Sequence, residues 1–462
     1  MRFPKRPPQA GDGAILAASS AGQTILDHVS PVLADGRYLH WNELRFRKPP
    51  AGLSTEQWWF AQKLGRRASR VEVKDLTDAT AKPFWFCRLE AIERATHELD
   101  RNDTSRELRA ALGDDGAREA YRIDQLIEEA ISSSVLEGAK LTTRAEAKEI
   151  IREGRPPANQ SERMVVNNYR AMRRLLDMAH RTLTMDDLLE IHAVLGEDSL
   201  DVPNAAGRLR TASESVRIED ALTGETWFTP PPADDLPQLL VRMLAFANDA
   251  HDANHEDDSS AHSASDTRRQ FLHPLVRAII LHFWTAYLHP FVDGNGRMAR
   301  ALFYWQMLRS GYDFAQYLSI SGPIDRSRRA YYLSFAYTET DDGDLTYFLL
   351  HQLAVLRQAK SELVEHLHER SQRLRELSSA VEGTEALNHR QQSALLFVRR
   401  NPHIGLTVNG HMTSHAVSYL TARKDLQELE SRGYLRRVRV GRTDKYLPRG
   451  RSVPPNKSKR SS

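Results

Sequence analysis

His289-Pro290-Phe291-Val292-Asp293-Gly294-Asn295-Gly296-Arg297-Met298-Ala299-Arg300 is the stretch on which both fold and chemistry turn. Before it, His273–Leu288 carries apolar residues at helical spacing, and Pro290 disfavours helix at the residue preceding it. After it, Gly296–Ser310 resumes the helical pattern. The stretch is therefore a loop between two apolar helices, with Gly294-Asn295-Gly296 opening the second. Glycines there let backbone N–H groups converge on an anion, and the helix N-terminus adds a partial positive charge. Arg297 and Arg300 are three apart and are expected on one face of the first turn, where two guanidiniums suit a polyphosphate. Asp293 is a carboxylate of the kind that holds Mg²⁺ beside phosphates. His289 could take a proton from an attacking hydroxyl. One loop thus supplies a base, a metal ligand, a phosphate nest and two cationic clamps, the parts that phosphoryl or nucleotidyl transfer requires.

Outward from the loop, residues 121–373 read as helix after helix: Ile123–Leu136, Thr143–Gly154, Glu162–His180, Thr184–Leu195, Asp235–Asn248, Ser327–Glu339 and Leu345–Arg370 all place apolar residues at i, i+3, i+4. Thr142 and Thr184 read as N-caps. Two stretches break the pattern. Ser213–Pro232, with Thr223-Gly224 between apolar flanks, carries a hairpin signal. His251–Thr267 lacks periodicity and reads as a flexible loop whose histidines, His251, His255 and His262, have no metal-ligand spacing. His192 lies on a helix face and reads as structural. Residues 38–120 hold amphipathic stretches at Thr55–Leu64 and Pro83–Asp100, with Trp41, Trp58, Trp59 and Trp85 among them, and read as an N-terminal helical domain. Residues 1–37 read as a flexible N-terminus. The fold class expected is mainly α, with a β-hairpin against a helical core.

The chain has 462 residues and a formal net charge of +3, with an ordinary apolar fraction of 40%. Its one cysteine, Cys87, excludes an intramolecular disulfide and reads as a small core residue. No apolar run is long enough to span a bilayer, and the basic N-terminus lacks the apolar stretch of a secretory signal, so a cytoplasmic protein with no membrane partner is expected. The charge is unevenly spread. Residues 388–462 hold about 16 Lys and Arg against about 4 Asp and Glu, which suggests a nucleic-acid partner for that end. Within it, Asn388–Arg400, a longer helix Ser414–Ser431 ended by Gly433, and strands Tyr434–Val440 and Lys445–Leu447 read as a winged helix over residues 387–448, with a disordered basic tail at 449–462. Arg423 and Lys424 would lie on its recognition helix, and Arg436, Arg437, Arg439 and Arg442 on its wing. Such units also bind proteins, so both DNA and protein stay open as its partner.

The loop at 289–300 closely resembles the signature of Fic-domain proteins, His-Pro-Phe-x-(Asp/Glu)-Gly-Asn-Gly-Arg-x-x-Arg, with every fixed position met. Ser213–Pro232, ending in three prolines, is similar to the family's hairpin flap, and the resemblance covers residues of about 121–370. It implies a helical core that binds ATP with Mg²⁺. His289 would deprotonate a Ser, Thr or Tyr hydroxyl of a protein, Asp293 would hold the metal, Gly294, Asn295 and Gly296 would form the anion hole, and Arg297 and Arg300 would hold the outer phosphates. AMP would pass to the target, or to the chain itself. Ser133-Ser134-Val135-Leu136-Glu137-Gly138 resembles the family's inhibitory motif, with Ser133, Glu137 and Gly138 in the fixed places at the end of helix 123–138. The resemblance implies that Glu137 pairs with Arg300 and displaces a partner of the γ-phosphate. In some relatives the same glutamate serves AMP removal, so removal stays open beside transfer. Tyr331, Tyr332 and Gly343-Asp344 lie further along at family-like spacing and would line the adenine pocket. A DNA-binding regulator with a nucleotide-sensing core, and a second copy of the chain as partner, are the remaining alternatives.

Overall fold

The computed structural model describes residues 3–8, 22–101, 107–108, 111–112, 115–140, 144–202, 204–219, 224, 226–249, 271–378, 387–440 and 443–449. Thr142, Thr223, Arg442, the histidines at 251, 255 and 262, and the tail beyond Arg449 lie outside them.

The chain opens with α1 (Gly22–Asp27), α2 (Trp41–Leu44) and α3 (Thr55–Ala68). Next come a strand pair, β1 (Arg70–Thr77) and β2 (Pro83–Cys87), and then α4 (Glu90–Asp100). The first 37 residues are thus not all loop. Pro83–Asp100 is not one helical stretch either, because β2 pairs antiparallel with β1, Val71 opposite Phe86 and Val73 opposite Phe84. The sequence Pro-Phe-Trp-Phe-Cys is buried along its length, so it lacks the period-2 alternation that marks a half-exposed strand. Strand β2 also joins this N-terminal region to the helices C-terminal to it. Trp85 bridges Asp344 through backbone bonds from the Trp85 N–H to Gly343 O (3.1 Å) and from the Leu345 N–H to Trp85 O (2.7 Å). Buried apolar residues of this region, from Val71 and Phe84 to Leu99 and Leu112, share one continuous core with those helices.

The helices are α5 (Asp115–Leu136), α6 (Arg144–Glu153), α7 (Gln160–Met178) and α8 (Met185–Gly196), then, past the short hairpin β3 (Ile218–Glu219) and β4 (Thr226–Phe228), α9 (Leu236–Asn248), α10 (Pro274–Leu288), α11 (Asn295–Arg309), α12 (Ser321–Arg326), α13 (Arg328–Thr340) and the long α14 (Thr346–Ser378). Thr184 caps α8 in a reciprocal capping box with Asp187. Helices α10 and α11 lie at the centre and are buried nearly all round, and their polar side chains, Arg277, Asn295, Arg297, Arg300 and Gln306 among them, are buried with the apolar ones. They pack on each other and bracket the 289–294 loop, so that loop is held between two buried helices.

Residues 387–449 build a smaller unit with its own core around Leu395, Val398, Leu426, Leu429, Leu435 and Tyr446. Its order is α15 (His389–Arg400), α16 (Val408–His415), α17 (Tyr419–Ser431), then hairpin β5 (Leu435–Val440) and β6 (Thr443–Pro448), with Leu406 bridging Tyr446. Ser414–Ser431 is therefore two helices. Ala416 turns left-handed (φ 51°), and Ser418 starts α17 afresh by accepting the Thr421 N–H. The unit rests on α5 and α6: Lys445 pairs with Glu149 at 3.5 Å, and the Arg152 guanidinium lies 4.4 Å from the Phe397 ring centre. No helix among the described residues is long and apolar enough to cross a membrane.

Candidate active site

His289 ends α10 in the left-handed region, with φ 48°. Pro290 cannot continue the helix, and the turn carries the chain across to Gly294, itself at φ 82°. The His289 Nδ1 lies 3.2 Å from Ala286 O. A carbonyl only accepts, so Nδ1 carries the proton and Nε2 is left with its lone pair, the state a general base needs. Burial pushes the His289 pKa below its usual 6.5, outweighing the Glu137 and Asp293 charges.

The Gly-Asn-Gly segment divides its work. The Asn295 side chain is buried and clasps the loop: its Oδ1 accepts the Phe291 N–H (3.0 Å) and its Nδ2 donates to Phe291 O (2.8 Å). Helix α11 begins at Asn295 with no side-chain cap from Gly294, so its N-terminal amides face the site. Gly296 lets another chain segment come close. A Cβ there would fall 2.1 Å from Glu137 Oε1. The Asp293 carboxylate is exposed beside them and accepts the Gly294 N–H at 2.5 Å. Among the described residues no group of three or more His, Cys, Asp or Glu is arranged so that it could hold a metal ion.

The two arginines have different partners. Arg297 turns away from Arg300 and donates to Leu195 O (2.9 Å) at the C-terminal end of α8, where a cation meets the negative end of the helix dipole. Arg300 faces α5. Its Nη2 pairs with Glu137 Oε1 at 2.8 Å and donates to Ser133 O (3.1 Å), while its Nε donates to Ser133 Oγ (2.9 Å). Its Nη1 is buried without a hydrogen bond among the described residues. Burial opposes the Arg300 charge, but Glu137, Tyr331 and Glu129 outweigh it and the pKa is raised. Helix α5 is fixed deeper in by buried Glu129, which accepts from Ser319 Oγ, the Ser321 N–H and Ser321 Oγ at 2.8, 3.0 and 2.5 Å. Gly138 supplies the left-handed residue (φ 95°) that ends α5, and the Ala139 N–H closes on Ser134 O. Glu137 thus leaves the unfavourable end of its own helix and sits at the positive end of α11.

The remaining expected residues separate. Tyr331 is core, 4% exposed, its hydroxyl 3.0 Å from His282 Nε2 and its ring against Phe335 and Phe348. Its hydroxyl side also lies within electrostatic reach of Arg300 and Glu137. Tyr332 is 36% exposed at the rim near Glu137. Asp344 is fully buried and accepts the Tyr38 hydroxyl at 2.5 Å, so it anchors the N-terminal region and lines no pocket at the loop.

Two residues beyond the motif hold the loop. His192, read as structural from sequence, stacks on Phe291 with ring centres 3.6 Å apart and bonds Asp293 O at 2.9 Å; burial lowers its pKa to about 4. Arg210, which the sequence did not single out, donates to His289 O (2.7 Å) and Pro231 O (2.5 Å), tying the hairpin's proline end to the loop. Gly207-Arg208-Leu209-Arg210 just before the hairpin was the available signal, but an arginine's burial is not visible in its neighbours.

Residues 182–307 match the family model described as Fic/DOC family. A protein adenylyltransferase, fic-1, of Caenorhabditis briggsae is 32% identical over 139 residues, 30% of this chain and 22% of the relative. Protein adenylyltransferase Fic of Nematostella vectensis is 33% identical over 132 residues, 28% of this chain and 24% of the relative. The chain thus spans under a quarter of the length of these curated relatives. Among solved structures, a Fic family protein from Desulfovibrio desulfuricans G20 aligns over 80% of this chain and 98% of its own at 22% identity, with a TM-score of 0.47. Residues 182–307, which contain the whole 289–300 loop, are thus similar to the Fic/DOC family.

Proposed function

We propose that the protein is an adenylyltransferase that moves AMP from ATP to a Ser, Thr or Tyr hydroxyl of a protein and is held off by Glu137. The observation that carries this reading is the Glu137 carboxylate seated over Gly296 and paired with Arg300 at 2.8 Å, beside a histidine whose Nε2 is free to accept a proton. The similarity to proteins named adenylyltransferases supports it.

In the proposed step the target hydroxyl gives its proton to His289 Nε2 as its oxygen bonds to the α-phosphorus. The bond from that phosphorus to the α–β bridging oxygen breaks, and pyrophosphate leaves. Mg²⁺, held by Asp293, would neutralise charge on the phosphates. The α11 amides from Gly294 to Gly296 would meet phosphate oxygens. Arg300 would take the outermost phosphate once Glu137 withdraws, whereas Arg297, committed to Leu195 O, would brace α11. Incubation with α-labelled ATP and Mg²⁺ tests the reading. Glu137→Gly should raise incorporation, including into the chain itself, on the order of tenfold, and His289→Ala in that background should abolish it while ATP still binds. Unchanged labelling in Glu137→Gly would remove the brake, and undiminished labelling in His289→Ala would remove the mechanism. Release of AMP from a modified target by the wild-type chain would favour removal as the net activity.

A second reading concerns the C-terminal unit, which we infer to be a winged helix that binds DNA. Arg423 and Lys424 on α17 and Arg436 and Arg439 on β5 are exposed, whereas Arg437 lies 3.7 Å from both Glu430 and Asp444 and is partly engaged. A mobility-shift titration of the full chain over a range of salt decides it. Binding that weakens as salt rises, and weakens further in Arg436→Ala/Arg439→Ala, is expected; no shift at low salt refutes it.

A further inference from the structure

Three backbone carbonyls of the loop and the last one of α10 are bonded from one neighbouring segment, residues 192–210. Arg210 reaches Leu288 O (3.4 Å) and His289 O (2.7 Å) through its guanidinium and Pro290 O (2.9 Å) through its backbone N–H, and His192 Nε2 takes Asp293 O at 2.9 Å. The fourth bond governs the site. In a trans peptide the C=O and the next N–H point in opposite directions, and every described peptide bond here is trans. Drawing Asp293 O toward His192 therefore turns the Gly294 N–H the other way, toward the Asp293 carboxylate and the open side of the loop. Gly294, at φ 82°, imposes little of this itself, since glycine rotates with little steric cost. A Cβ at Gly294 would lie 3.4 Å from His192 Nε2, so the ring lies in van der Waals contact beside the peptide it holds.

We propose that His192 is a positioning residue that locks the Asp293–Gly294 peptide in one orientation and so aims the Gly294 N–H at the bound phosphate. The lock has two links. The Gly207 N–H donates to His192 Nδ1 at 3.0 Å, which leaves Nδ1 without a hydrogen and puts the ring's proton on Nε2. Only that tautomer can donate to Asp293 O; the other would set a lone pair against a carbonyl and release the peptide. Stacking on Phe291, with the rings 7° from parallel, prevents the imidazole from turning over. Gly207 belongs to the connection that leads into the β3–β4 hairpin, so the same connection that carries the hairpin sets the histidine's tautomer.

The inference rests on the reading of Gly294 as a phosphate donor, and the test keeps the two apart by using the full chain with Glu137→Gly. Imidazole nitrogen shifts from ¹⁵N-histidine labelling report the tautomer without any nucleotide; the Nε2–H form is expected, and the Nδ1–H form overturns the lock. His192→Phe keeps the ring on Phe291 and loses both hydrogen bonds. It should bind ATP about tenfold more weakly by calorimetry at an unchanged stoichiometry, as loss of an aimed backbone donor implies. His192→Gln, which can still donate to Asp293 O, should recover part of that affinity and serves where the Phe variant does not fold. Affinity in the Phe variant equal to its parent's overturns the proposal, because a purely structural histidine would shift melting and leave ATP binding intact. None of these measurements requires AMP transfer, so a parent that binds ATP without transferring AMP would refute the proposed activity alone.

Discussion

At the scale of single residues, the loop works through protonation states that its neighbours impose. Ala286 O holds the His289 proton on Nδ1, and burial keeps the imidazole neutral. These fix the sign of the pH dependence. A base acts when deprotonated, and a pKa lowered from 6.5 keeps it deprotonated further into acid. The acid limb of kcat/KM for AMP transfer by Glu137→Gly, which reports the free enzyme, should therefore lie below pH 6.5. A limb at or above that value contradicts the environment assigned to His289. Ser133 offers a second case. Its hydroxyl and carbonyl both bind Arg300, so Ser133→Ala removes only the hydroxyl bond. It should loosen the Glu137–Arg300 hold and raise labelling by less than Glu137→Gly does, measured side by side.

At the scale of elements, the loop is a short connection whose backbone is satisfied by designated side chains. Asn295 accounts for both polar groups of buried Phe291, which are 3.0 and 2.8 Å from its amide. Asn295→Ala should cost about 1–3 kcal/mol of stability, the range for leaving buried backbone groups unpaired, read as a lower denaturant midpoint at constant m-value. Asn295→Asp keeps the Phe291 N–H bond and should recover part of it. The pattern of polar residues in the motif could be read from sequence, but their division of labour could not. Arg297 and Arg300 are one turn apart and look equivalent. One is taken by the C-terminus of α8 and the other by the C-terminus of α5, and which helices approach which guanidinium is a matter of packing. The same limit explains β2, whose buried aromatic run shows no alternation until β1 is beside it.

At the scale of the whole molecule, three regions converge on the central helices. Buried Arg66 ties the N-terminal region to α13 and α14 through Asp341 (3.3 Å) and the Tyr347 hydroxyl (2.6 Å), and the C-terminal unit bears on α5 and α6, the helices on either side of Glu137. Neutral histidines are distributed across these junctions. Burial lowers His40 to about 3, His192 to about 4, His351 to about 4 and His415 to about 3. In each case the unfolded chain binds the proton more readily than the folded one. Stability is therefore complete above pH 6.5 and falls as pH drops from there toward the folded values, by up to about 1.4 kcal/mol per pH unit for each histidine. Melting followed by circular dichroism from pH 7.5 to 5 should show a steep fall, less steep in His40→Gln. A melting temperature flat over that range contradicts the burial of these rings.

The sequence by itself determined the helical core, the loop's position between α10 and α11, and the residue types that a nucleotide and a hydroxyl would meet, because each arises from local rules: apolar spacing, a proline after a helix, glycines before one. Tertiary structure decided what those residues do to one another. Ser133 and Glu137 lie far along the chain from Arg300, and only the packing of α5 against α11 brings the carboxylate to within 2.8 Å of the guanidinium. His192 gave no sign in its own surroundings of the carbonyl it holds. Tyr331, spaced as a ligand residue would be, is buried in the core. Local rules act over one or two turns of chain, whereas pairing of charges and choice of tautomer depend on groups that fold together from distant positions, and no periodicity records them.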